Sequence, residues 1–167
     1  MTYQEKKVWA TMFSGFIVYL MYIRRAITVY RLEGKTILQD TAFWAKTMLL
    51  YMAIGVVVII VLMIVLHILM AVSGEVVKKI KEAKGESVED DEGYFDVEDE
   101  MDRLIGLKAE RTGYIIVGIG FTFGLISLAI QMAPGIMLNI VYLSFVLGSM
   151  LEGAAKLYLY KRGVSHG

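Results

Sequence analysis

Three side chains able to do acid–base or electrostatic chemistry lie inside otherwise apolar sequence: His67, Glu152 and Lys156. Ionisable groups at membrane depth are costly and face the protein interior or water. Glu152 precedes Lys156 by four residues, the favoured orientation for an ion pair along one helix face. The default reading is a structural pair reaching the interface; a proton-coupled or cation-binding site is the sharper one. His67 alone reads as a hydrogen-bonded packing residue. Were it to meet Glu152 across the fold, the two would form a switch near neutral pH.

No larger catalytic set accompanies them. The sequence holds no phosphate loop, no Ser-His-Asp arrangement and no cluster with metal-ligand spacing. It has no Cys, which excludes disulfides, thiol chemistry and Cys-ligated zinc or iron–sulfur sites. His166 stands in a short polar tail. The formal net charge is zero, so no global field argues for direct contact with nucleic acid. The expectation is a protein without enzymatic activity and without a cofactor.

The elements that must position these groups are apolar. Thr47 to Val72 contains no acid, no Lys and no Arg, and as a helix it extends about 39 Å. That is enough to cross a hydrocarbon core of ~30 Å with tilt. Val8 to Ile23 is shorter, flanked by Lys6, Lys7, Arg24 and Arg25, and reads as an uncleaved first helix. Tyr114 to Ala133 is free of charge, and Ile136 to Tyr160 is interrupted by Glu152 and Lys156. The expected spans are therefore about 8–30, 44–72, 114–133 and 136–160. Val56 to Val61 is β-branched, but a lone strand in lipid leaves its backbone unsatisfied, so helix wins. The fold class is all-α: an integral membrane four-helix bundle with a charged cytoplasmic loop, 73–113, between helices 2 and 3. Ala133-Pro134-Gly135-Ile136 reads as a tight turn, with the positive φ expected at Gly135.

Basic residues set the orientation. The two termini and the long loop hold more than twice as many as the opposite side, where Arg24, Arg25, Arg31, Lys35 and Lys46 lie. Both termini and the loop are thus expected in the cytoplasm of a multi-pass cell (plasma) membrane protein. Arg24, Arg25, Lys78, Lys79 and Lys81 suit lipid headgroups; contact of Arg24 and Arg25 with Gln131 and Asn139 is the alternative. Residues 86–102 are dense in acid and read as a solvated tether, with Tyr94-Phe95 as an apolar anchor. An EF-hand fails there, because a Gly93 in sixth position puts Val88 first.

The stretch that follows, Asp99 to Tyr114, reads as a juxtamembrane amphipathic helix through Leu104, Ile105, Leu107 and Lys108. It resembles a group of small four-helix bacterial membrane proteins of unassigned activity, mostly Gram-positive. They carry an Asp-Glu-Arg-Asp-x-x-Ile-x-x-Lys-Ala-x-Arg-x-x-Tyr signature before a membrane hairpin. Asp99, Glu100, Asp102, Ile105, Lys108, Ala109, Arg111 and Tyr114 match it, and Met101 replaces the arginine. Tyr3 to Trp9 is also similar to the opening of such proteins. The resemblance implies a regulatory or stress-response role; Asp99, Glu100, Asp102, Lys108 and Arg111 are read as the motif of the loop that contacts a partner.

Small residues recur at helical spacing on helix 3 (Gly113, Gly120, Gly124, Ser127) and gather on helix 4 (Gly148, Ser149, Gly153). They are expected to pack helices 3 and 4, or two copies of the chain, closely. The leading function is a regulatory or accessory membrane protein whose loop contacts a cytoplasmic protein partner or the bilayer surface. The alternative is a small oligomeric transporter or channel with a wet path through Glu152, His67, Ser127 and Gln131.

Overall fold

A computed structural model describes residues 3–83 and 100–162. Four helices carry the chain: α1 (Tyr3–Glu33), α2 (Thr41–Ala83), α3 (Glu100–Ala129) and α4 (Pro134–Arg162), with a short 3₁₀ helix, Gly34–Gln39, after α1. Each of the four is long and apolar enough to cross a membrane. The protein is an all-α, integral membrane four-helix bundle.

The helix ends have local causes. α1 runs through Arg24 and Arg25 rather than stopping at them, because arginine is a good helix former and both side chains are exposed. It ends at Gly34, whose φ of 68° lies in the left-handed region. Asp40 caps α2, its Oδ1 accepting from the Phe43 amide at 2.9 Å. The turn between α3 and α4 departs from the sequence expectation. Gly135 is helical, Pro134 begins α4, and the positive φ, 60°, falls on Gln131. The Met132 amide donates to Ser127 O at 3.0 Å and the Gln131 amide to Leu128 O at 2.9 Å. This is a Schellman ending with glutamine in the place glycine usually takes. Proline at the first helical position has no amide to satisfy, so it starts α4 instead of bending the turn.

The two hairpins α1–α2 and α3–α4 are joined mainly through α4, which touches α1, α2 and α3. Helix α3 packs most extensively on α4. No residue in the most apolar stretch of α2 is buried within the protein, although Tyr51, Ile54, Val58 and Leu62 are half-buried along one face. Helix extends into both sides of the segment 73–113: α2 continues to Ala83, as its lysine-rich end suggests, and α3 begins at Glu100. Gly85 and the acidic residues 86–99, with Tyr94, Phe95 and Asp99, lie outside the described residues, as does His166.

The bundle has two distinct ends. At the aromatic end, Tyr22, Val29, Ile37, Trp44, Met48 and Tyr142 form the buried core. The Tyr22 and Tyr142 rings meet edge-on, with centroids 4.5 Å apart, a contact worth ~1 kcal/mol beyond its buried area. Tyr22 Oη donates to Asn139 Oδ1 at 2.6 Å, and Trp44 Nε1 donates to Ile37 O at 2.8 Å. The polar end gathers the start of α1, the latter half of α2, the start of α3 and the end of α4.

Candidate functional site

The small residues of α3 determine how the polar end is built. Ile105, Ala109, Gly113, Gly120, Gly124 and Ser127 are the buried residues of this helix, spaced so that they share one stripe. A Cβ on Gly113 would lie 3.2 Å from Gly148 O, and one on Gly148 would lie 2.9 Å from Gly113 O. The two backbones touch there. A Cβ on Gly120 would overlap Ser144, and one on Gly124 would press on Val141 and Met137. Gly153 does not belong to this interface: it faces α1, where an added Cβ would strike Met12. Ser127 donates to Gly124 O at 2.7 Å and is buried, so it lines no path.

Close approach of α3 and α4 brings their polar groups to one cavity of about 260 Å3. Lys7 and Thr11 of α1, Asp102 of α3, and Ser149, Glu152 and Lys156 of α4 line it. Lys156 Nζ donates to Glu152 Oε1 at 2.8 Å, and both side chains are about a quarter to a third exposed (26% and 30%). Glu152 leans over Gly113, where a Cβ would lie 3.4 Å from Oε2. Thr11 returns its hydroxyl to Lys7 O and Val8 O, at 3.0 and 2.9 Å. Two ammonium groups and two carboxylates thus balance around a space large enough for several waters. Chemically it can orient water, relay a proton or seat a small polar group.

His67 is not part of it. It is exposed, with Nδ1 3.0 Å from Met63 O, and α2 contributes Met63 rather than His67 to the cavity. The conditional meeting of His67 with Glu152 is not found: His67 is exposed one turn beyond Met63 on α2. Gln131 stands exposed in the α3–α4 turn, so the four residues of the expected wet path do not share one. Arg24 and Arg25 are exposed, and Asn139 bonds to Tyr22 and, through Nδ2, to Gly135 O at 2.7 Å instead of to them. Among the described residues no group of three or more His, Cys, Asp or Glu could hold a metal ion.

From Glu100 to Tyr114 the signature region forms about the first four turns of α3, continuous with its apolar part rather than a separate surface helix. Ile105 and Ala109 are buried at 2% and 0% exposure, on the stripe that carries Gly113. Glu100, Arg103, Lys108 and Arg111 are all exposed, and none forms an ion pair among the described residues. Leu104 and Leu107 are exposed beside them. Lys78, Lys79 and Lys81 lie on the last turns of α2, their side chains outside the description. Sequence reasoning missed that Lys7 and Thr11 line the same cavity as Glu152, since no spacing rule links the start of α1 to the end of α4. No protein family, curated protein or solved structure matches the chain.

Proposed function

We propose that this protein is a non-enzymatic regulatory or accessory membrane protein that docks a cytoplasmic protein through its polar end. The observation that carries this reading is the anchoring of the signature helix. Ile105 and Ala109 hold one side of it down, and this leaves Glu100, Arg103, Lys108 and Arg111 displayed on the other, without ion pairs among the described residues. Preordering a charged surface lowers the entropy lost on binding. Mixed charge on the helix favours a specific protein partner, because complementary charges fix register and exclude wrong partners. The excess of basic residues at this end supports a cytoplasmic location in the cell membrane.

The test is recovery of partners by the detergent-solubilised full chain against Lys108→Glu/Arg111→Glu and a variant lacking 86–99. Loss of the same partner from both variants supports the reading; an unchanged set of recovered proteins removes it. Orientation has its own test, because the chain has no Cys. A Leu107→Cys variant should resist an impermeant maleimide in intact cells, while Leu32→Cys at the opposite end should react.

The transporter reading rests on the cavity around Glu152. That cavity shares no lining residue with the open groove at the aromatic end, and the tyrosine and tryptophan core fills the space between the helices there. Proton or cation flux through reconstituted protein, abolished by Glu152→Gln, would favour transport over docking.

A further inference from the structure

The groove between α1 and α4 at the aromatic end has a volume of about 550 Å3 and is lined mostly by apolar surface. Tyr22, Ala26, Tyr30 and Arg31 of α1 and Asn139 and Ile140 of α4 line it. From Tyr22 to Arg31 the groove follows α1 for about 13 Å, toward the end of the helix where spans give way to connections. Arg31 is exposed and has no ion pair among the described residues. Asp40, the acid that follows the groove, is already committed to capping α2. Residues 24–46 carry five bases against two acids, so this rim is positive. Inside the groove, Asn139 donates one amide hydrogen to Gly135 O and accepts from Tyr22.

An apolar trough, with Asn139 at the depth of Tyr22, ends about 13 Å farther out at the guanidinium of Arg31. A phospholipid presents the same two parts in the same order, an acyl chain below an anionic phosphate. We infer that the α1–α4 groove is a binding site for a phospholipid with an anionic headgroup, held by Arg31 at the phosphate with an acyl chain along the apolar trough. The site lies at the opposite end from the proposed docking surface and stands independently of it.

The test is native mass spectrometry of the delipidated full chain, exposed to equal amounts of phosphatidylglycerol and phosphatidylcholine with identical acyl chains. The wild type should retain phosphatidylglycerol about fivefold over phosphatidylcholine, the selectivity one basic side chain near a headgroup provides. Arg31→Gln should bring the two lipids to parity, and Arg31→Lys should keep the preference. The groove-filling Ile140→Trp should reduce retention of both lipids alike. Arg162→Gln, at the other end, should change nothing. The inference is overturned by an unaltered preference in Arg31→Gln, by equal loss in Arg162→Gln, or by a wild-type dimer that Ile140→Trp converts to monomer. That last result would identify a second copy of the chain as the occupant. Helical circular dichroism of each variant separates loss of the site from loss of the fold.

Discussion

Gly120 and Ser144 meet where α3 crosses α4, so closely that a Cβ on the glycine would occupy the serine's place. Two backbones this near gain dispersion contacts that larger side chains would forbid, which is the main source of helix association in lipid.

Gly120→Ala should therefore destabilise the protein by about 1–3 kcal/mol, the usual range for overpacking a close contact. Ser144→Gly added to it should recover part of that loss. Thermal unfolding of the two single variants and the double variant in one detergent gives the coupling. Independent effects would mean that the helices do not approach at this pair.

At the aromatic end, Gly135 lies against the 3₁₀ helix and Trp44. A Cβ there would be 2.6 Å from Leu38 O and 2.7 Å from Trp44 Cδ1 and Nε1. Gly135→Ala should displace the indole and weaken its bond to Ile37 O. In a Trp9→Phe background Trp44 is the remaining tryptophan, so its emission maximum should shift; an unmoved spectrum would contradict the contact.

Gln131 holds a left-handed conformation that costs a side-chain-bearing residue roughly 1 kcal/mol or more. Gln131→Gly should stabilise the α3–α4 hairpin by up to about 1 kcal/mol, with the entropy of the unfolded glycine as the offset. A lower unfolding midpoint would show that the amide side chain has a compensating contact.

His67 and Glu152 make no mutual hydrogen bond or ion pair, since Glu152 is held by Lys156 and His67 faces Met63 O. The effects of His67→Ala and Glu152→Gln on stability should then add within about 0.5 kcal/mol. A larger coupling energy would restore the idea of a shared switch.

The sequence by itself determined the four helices and their surroundings. Apolar runs of this length must satisfy every backbone group internally, and only helices do so within one segment. It also placed Glu152 and Lys156 on one helix face, because i and i+4 neighbours are fixed by the helical repeat. Helix ends were less legible: Pro134-Gly135 has the composition of a turn, yet proline serves equally well as a first helical residue.

What only the tertiary structure decided is which helix faces meet. The apolar sides of a membrane helix are nearly equivalent toward lipid, so hydrophobicity does not select partners as it does in water. Close approach at Gly113, Gly120 and Gly148 selects them instead. Around the same bundle Lys7 and Asp102 line one cavity with Glu152, and His67 stays outside it.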